Sequence, residues 1–569
     1  MKSAQSATSV TWSANTFFAG VAAVLIARLL YLVRYGWDLG WMNLGYLQHA
    51  RLIALGRTQI SEEQPLAYFA LIAARRLGLS SLHANEAVYL LAHLTLALGA
   101  LGIARFVWPA ASLRRRRALV ATLALVPLLA SQSGRNNLGV TLASALTAAA
   151  FALAATVATA PRVRATTVGQ FLLTTLLTAM ASSGRYEALV ACGAGALLLA
   201  VLGGRMPDAP GHRRAALALA LGVLAGLVAV VLIRRALSGD VAADKTYAYY
   251  TFFDGLPLLM YPHLPGTEYG RYRASAAYFG SFAENHGSLV HALLHHPGFA
   301  VLRFVTKPVD LLAVLLWVSG LTPVGVALAA IGLRRISPAP PSVRPRRWLL
   351  FAYLPPLAML FIPQQNPAYY LSIAVPLALA VARGADRLGE WMTPRRAGVL
   401  AVTTTLAALA LIVTAGKVGI TNSRAINLAV PYVETRCREG CLTNALPQSL
   451  RDQVWAVTDA GAPFPPREHR NERVISGVVA ARRPEGYDFC ARVARSRAAG
   501  FRGPVLYIDS RIRTFTVFDP DFDPEVRYQG TVELGNFVEE RRFGAGRDEV
   551  VVYHLDPDEP CHSTPASSS

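Results

Sequence analysis

The chain has 569 residues, of which 53% are hydrophobic and only 16% charged, where soluble domains carry about 25% charged residues. Its net charge of +20 is unevenly placed: residues 1–419 hold 36 Lys/Arg and 14 Asp/Glu, and residues 420–569 hold 19 and 21. A basic excess that lies among apolar segments excludes a soluble nucleic-acid-binding protein and points to a multi-span membrane protein.

Taking about 20 apolar residues as the length of a span, the sequence predicts eleven of them. They fall near 14–33, 84–107, 118–132, 138–160, 168–182, 187–203, 215–234, 308–332, 348–363, 368–383 and 397–416. The first is long enough to span and has no cleavage site, so it reads as a membrane helix rather than a signal peptide. The basic clusters then share one face: Arg114 to Arg117, Arg162 with Arg164, Arg205 with Arg213 and Arg214, Arg334 to Arg347, and Arg383 to Arg396. That face is expected to be cytoplasmic, together with Lys2 and the N-terminus. Eleven spans place the C-terminal part outside the cytoplasmic membrane. Of the 14 acids before residue 420, only Asp208, Asp386 and Glu390 fall on the basic face.

Two loops on the opposite face are long. In the first, Asp38 is the earliest acid of the chain and lies between Trp37 and Trp41. Met42 to Leu55 and Leu66 to Leu77 then repeat apolar residues at helical spacing, the pattern of helices lying in the membrane interface. Glu62 and Glu63 stand just before Pro65, where acids and proline also favour a helix start. The second loop, about 235–307, is rich in Tyr and Phe and carries His286, His291, His295 and His296. Only His291 with His295, at i and i+4, has a spacing that metal ligands use. Aromatics there suit a membrane-surface belt or stacking on a sugar or lipid chain.

Residues 420–569 read as a small α/β domain outside the membrane. Strands are expected at Val474 to Val479, Pro504 to Ile508, Thr514 to Phe518 and Glu549 to Tyr553, with a helix from Tyr487 to Ala499. Ser563 to Ser569 reads as disordered. Cys437, Cys441, Cys490 and Cys561 could form two disulfides in three different pairings. Cys437 and Cys441 lack a second pair for a zinc site.

The chain has no phosphate-binding Gly-x-x-x-x-Gly-Lys loop, no GxSxG and no HExxH, and its basic-face loops are too short to house a nucleotide-sugar domain. The order Trp37-Asp38-Leu39-Gly40, Gln48-His49-Ala50-Arg51, Glu62-Glu63-Gln64-Pro65-Leu66-Ala67-Tyr68 and Gly78 resembles the opening of GT-C membrane glycosyltransferases. Ser183-Gly184-Arg185-Tyr186-Glu187-Ala188-Leu189 and Asn366-Pro367-Ala368-Tyr369 through Pro376 are similar to later segments of bacterial members. The resemblance spans about residues 14–385. It implies a helical membrane domain over 1–419 that transfers a sugar from a polyprenyl-phosphate donor to a lipid, glycan or protein acceptor on the outer face.

Within that resemblance Asp38 matches the catalytic aspartate, a base that deprotonates the acceptor hydroxyl. Glu62 and Glu63 fall in the region of a second acid that orients acceptor or metal. Arg28, inside the first span, and Arg135 and Arg185, in very short outer loops, are candidate partners of the lipid phosphate. Glu187 and Tyr369 complete the candidate substrate-binding set. Leu39 stands where the family often has a second acid, and Gln364 with Gln365 where it often has a base; no cofactor is implied, and a divalent metal is left open. The competing reading is a multi-pass transporter or flippase of a lipid-linked or polyanionic substrate. A transporter is expected to show repeated halves and broken mid-membrane helices, which the sequence lacks.

Overall fold

The computed structural model describes residue 50 and residues 65–79, 81–107, 138–160, 162–203, 209–237, 277–280, 284–286, 288–299, 345–355, 371–391, 424–436, 442–443, 489–498, 500–510, 530–532, 534–545 and 548–565, with a few single positions between 301 and 332. Among the described residues, six helices come first: α1 Pro65–Arg76, α2 Ser81–Val107, α3 Leu138–Thr159, α4 Ala165–Gly184, α5 Tyr186–Gly203 and α6 Ala209–Leu237. Among the described residues, three segments are long and apolar enough to cross a membrane: His83–Val107, Leu138–Thr159 and Pro210–Ile233. Two shorter apolar helical stretches are Tyr186–Val201 and Leu371–Ala380. The spans expected at 14–33, 118–132 and 397–416 lie outside the described residues. The span expected at 348–363 is described only at its start, where Pro345–Tyr353 forms a 3-10 helix rather than an α-helix.

Small residues let these helices approach closely, which is how helices associate where lipid offers no hydrophobic gain. A Cβ added at Gly99 would lie 2.7 Å from the Cβ of Ala148, and one at Gly102 would lie 2.4 Å from that of Ala152. The same construction at Gly222 meets Thr178 at 2.4 Å, and at Gly226 meets Ser182 at 2.7 Å. Thr175 Oγ1 donates across the α4–α6 contact to the carbonyl of Ala218 at 3.2 Å. These contacts fix direction: α2 runs parallel to α3, and α4 parallel to α6.

The bundle therefore has two distinct ends. At one end Phe106 faces His212, with ring centroids 6.1 Å apart, and Arg214 donates to the carbonyl of Ala160 at 3.3 Å. Arg105, Arg162, Arg164 and Arg213 belong to this end. At the other end, Ala67, Tyr68 and Leu71 of α1 share a buried cluster with Ala84, Val88 and Tyr89 of α2 and Leu138 of α3.

α1 shows why the local sequence folds as it does. Pro65 suits the first helical position because its missing N–H is not needed there. Ala67, Tyr68, Leu71 and Ala74 are buried on one face, while Phe69 and Leu77 are exposed on the other. Gly78 ends the helix with a φ of +87°, a conformation that favours glycine. Its N–H donates to Arg75 at 2.9 Å, and that of Leu79 to Ala74 at 3.4 Å.

Farther along come α7 Leu289–His295, α8 Ala374–Trp391 and α9 Arg424–Arg436, then β1 Leu442–Thr443, α10 Phe489–Ala498, β2 Val505–Ser510, β3 Gly530–Val532, β4 Phe537–Ala545, β5 Asp548–Leu555 and β6 Ser563–Pro565. A four-stranded sheet has the order β1-β2-β5-β4, with β1 parallel to β2 and the other neighbours antiparallel. β2, β5 and α10 fall where the sequence predicts them. The strands expected at 474–479 and 514–518 lie outside the described residues. Ser563–Pro565 corrects the expectation of disorder from Ser563: it pairs with β3, and Cys561 just before it is bonded to Cys490. A helix-neighbouring disulfide holds this segment beside the sheet, so polar composition alone misjudged it.

α9 joins the sheet to the bundle. Ala425, Ala429 and Val433 lie in the same buried cluster as Leu506, Phe543, Val550 and Val552 of the sheet and Tyr68, Leu71 and Val88 of the bundle. The C-terminal sheet is thus anchored at the bundle end that carries α1, away from the end that carries Arg105, Arg162 and Arg214.

Candidate functional site

Arg185 is the residue at which the chain turns from α4 into α5. Its backbone is extended, and its N–H caps α4 by donating to Ala181 at 3.2 Å. Glu187 lies in the first turn of α5, where the helix dipole favours a carboxylate. The Arg185 guanidinium donates to both Glu187 oxygens, Nε to Oε2 at 3.0 Å and Nη2 to Oε1 at 2.7 Å. The side chains retain 17% and 9% of their exposure. This bidentate fork is the strongest geometry an Arg–carboxylate pair adopts.

The surroundings of the pair are small and apolar. Ala143, Ala181 and Ala188 form a buried cluster beside it. A Cβ at Gly184 would lie 3.6 Å from Leu66 of α1. α1 therefore packs against the helix break that carries the pair as well as against the start of α2. In a site of low polarity, Glu187 both neutralises and aims Arg185.

Of the residues singled out in the sequence, the structure brings Arg185 and Glu187 together. Asp38, Glu62, Glu63, Arg28, Arg135 and Tyr369 lie outside the described residues. Among the described residues, no group of three or more His, Cys, Asp or Glu is placed to hold a metal. His291 and His295 do stack, with centroids 4.5 Å apart, but the Nδ1–H of His295 donates to the His291 carbonyl at 2.9 Å. His296 is packed in an aromatic cluster, 4.6 Å from Tyr278 and 5.2 Å from Phe279.

Sequence reading passed over the polar residues inside α2. Asn85, Tyr89 and His93 recur at i, i+4 and i+8, and Asn85 and His93 are completely buried. His93 Nδ1 donates to the Tyr89 carbonyl at 2.8 Å. Neither polar atom of the Asn85 amide has a hydrogen-bond partner, nor does Nε2 of His93. An Asn and a His at helical spacing within a segment predicted to span was the available signal.

The C-terminal domain carries its own charge pairs. Arg542 bridges Glu539, at 2.7 and 3.0 Å, and Glu549, at 2.6 Å. The hydrogen bond from Arg542 holds the Glu539 carboxyl below its usual range. Arg436 of α9 pairs with Glu540, and Arg541 lies over the Tyr432 ring at 5.1 Å. Burial, followed by a hydrogen bond with Glu540, raises the Tyr432 phenol above its usual value.

No protein-family model matches the chain, and no curated protein matches it. Solved structures do resemble it over nearly its whole length. The crystal structure of ArnT from Cupriavidus metallidurans in the apo state is 15% identical, with a TM-score of 0.41, covering 94% of this chain and 97% of that one. The structure of the same protein bound to undecaprenyl phosphate is 12% identical, with a TM-score of 0.37 and the same coverage. At this degree of overlap the likeness fixes no individual residue of the chain.

Proposed function

We propose that the chain is an integral-membrane glycosyltransferase that moves a sugar from a polyprenyl-phosphate donor to a lipid, glycan or protein acceptor at the outer face of the cytoplasmic membrane. The observation that carries this reading is the part-buried Arg185–Glu187 fork at a helix break, at the bundle end opposite the arginine-rich turns. A charged pair kept inside a membrane bundle is costly and marks a functional site more often than a structural one. The positive-inside rule assigns the arginine-rich end to the cytoplasm. The Cys490–Cys561 bond supports the same assignment, because disulfides persist outside the cytosol.

In this reaction Asp38 takes the proton of the acceptor hydroxyl as its oxygen attacks the anomeric carbon. The bond from that carbon to the phosphate oxygen breaks, and the polyprenyl phosphate leaves with the electron pair. Arg28, Arg135 and Arg185 offset the charge that develops on the leaving phosphate. Glu62 or Glu63 orients the acceptor, Glu187 holds Arg185 in place, and Tyr369 lines the substrate. No nucleic acid takes part, and a divalent metal is left open.

The test uses purified protein in lipid nanodiscs with undecaprenyl-phosphate-linked sugars and a mixed lipid and glycan acceptor pool. Asp38→Asn is expected to lower transfer by roughly 10²- to 10⁴-fold, the range that a positioned base contributes. Unchanged transfer in Asp38→Asn sinks the base assignment. Failure of the unaltered chain to consume any such donor sinks the transferase reading itself.

A further inference from the structure

Asn85 is the least expected residue of the bundle. It lies one turn into α2, is completely buried, and leaves both Oδ1 and Nδ2 without a partner. Burying an amide in that state costs about 1–3 kcal/mol. Packing alone does not demand an amide there, since a small apolar residue would occupy the position without leaving polar atoms unpaired. His93, two turns farther along the same face, repeats the pattern with an unpartnered Nε2. Buried polar groups are otherwise nearly always satisfied, so two on one helix face point to a ligand.

The position of Asn85 suggests which part of a ligand it meets. Its neighbours Ala84, Val88 and Tyr89 are buried with Ala67, Tyr68 and Leu71 of α1 and Ala425 and Ala429 of α9. α1 also packs on Gly184, next to the Arg185–Glu187 fork. Asn85 and the fork thus sit under one helix at one end of the bundle. The fork supplies cationic donors, which suit a phosphate. A carboxamide is neutral and offers an acceptor beside its donors. Its Oδ1 would repel phosphate oxygens, and a polyprenyl chain has nothing to bond to it. Adjacent hydroxyls of a sugar ring match it, one donating to Oδ1 while the next accepts from Nδ2.

We propose that Asn85 recognises the hydroxyls of the sugar being transferred, an inference that rests on the transferase reading above. Binding requires α1 to shift, because α1 and α9 cover this end of α2. The experiment compares the unaltered chain with Asn85→Leu and Asn85→Ser in nanodiscs. The probes are undecaprenyl phosphate itself and undecaprenyl-phosphate-linked glucose, mannose and arabinose. For the sugar-lipid that the unaltered chain binds best, Asn85→Leu is expected to weaken binding roughly 10- to 100-fold, with Asn85→Ser in between. Binding of bare undecaprenyl phosphate stays within about twofold. A purely structural asparagine predicts equal losses for both lipids, or none, and either result overturns the proposal. If Asn85→Leu does not fold, the same split between the two lipids is read from Asn85→Ser. Should the unaltered chain bind none of the sugar-lipids, both the recognition role and the transferase reading fail. If it binds and transfers while the variants match it, only the recognition role fails.

Discussion

The bundle and the C-terminal sheet solve the same packing problem with different residues. In the bundle, helices touch through Gly99, Gly102, Gly222 and Gly226 against Ala148, Ala152, Thr178 and Ser182. Large apolar side chains such as Leu172, Leu176, Leu224 and Val231 stay exposed on its outside. In the sheet, Phe537, Phe543, Val550 and Val552 are buried, charge pairs line the surface, and a disulfide closes a separation of 71 residues. The contrast is one of solvent. Where lipid surrounds the protein, burying a leucine gains little and close backbone approach decides the contact. Where water surrounds it, large side chains turn inward. Each region also contains an Arg–carboxylate cluster, and among the described residues that of the bundle leaves less of its arginine exposed, 17% against 46% for Arg542.

The largest effect expected from this contrast is at the buried fork. Glu187→Leu removes the bidentate carboxylate partner of Arg185 in the bundle, at a cost of about 3–5 kcal/mol. The double variant Arg185→Met with Glu187→Leu is expected to recover most of that stability but not sugar transfer. Unfolding of the detergent-solubilised protein followed by intrinsic fluorescence, together with the transfer assay, separates the two. Equal stability of the single and double variants would show that the pair does not behave as a buried one. Next comes the disulfide: Cys490→Ser with Cys561→Ser removes a cross-link worth about 2–5 kcal/mol to a small domain. The sheet is then expected to become trypsin-sensitive while the bundle stays resistant. With Cys490 and Cys561 joined, a second bond can only link Cys437 to Cys441, which peptide mass mapping under non-reducing conditions checks.

Much of the architecture was readable before the structure. Hydropathy placed α2 through α6, because a membrane helix must satisfy its backbone internally and so reads as one long apolar run. Gly78 and Pro65 framed α1, since end signals are local chemistry. The pairing of β4 with β5 was not legible: Phe537–Ala545 holds two Glu and two Arg in its middle, and those charges are partnered across the strands and by α9 rather than by an alternating apolar face. Nor was the partnership of Arg185 with Glu187, which needs the helix break to bend the chain back within two residues. Asn85 escaped notice because hydropathy averages away a single polar residue, and only burial shows its cost.

Two smaller effects sharpen the contrast further. Gly222→Val would drive a side chain into Thr178 and the carbonyl of Thr175, 2.7 Å from the new Cβ, and overpacking of this kind costs about 1–3 kcal/mol. Gly169→Ala, on the same pair of helices, meets nothing within 4 Å and is expected to leave stability unchanged or raise it by up to about 1 kcal/mol through helix propensity. A similar loss at both positions in a thermal unfolding series would mean that close approach does not decide the α4–α6 contact.

The smallest effect lies at the joint between the two regions, where Tyr432 of α9 lies near the Glu540 carboxylate of the sheet. Burial and that carboxylate raise the phenol above 10.0, so its contribution is fully present below pH 10 and is lost as pH rises through the raised value. Tyr432→Phe is expected to cost no more than about 0.5–1.5 kcal/mol at neutral pH, and less here because the ring is only partly buried. The variant should also flatten the alkaline part of the stability curve, because the group that titrates there is gone. An alkaline curve identical to that of the unaltered chain would show that the α9–sheet joint does not depend on this phenol, leaving the Arg436–Glu540 pair and the apolar contacts of Ala425, Ala429 and Val433 to hold the sheet on the bundle.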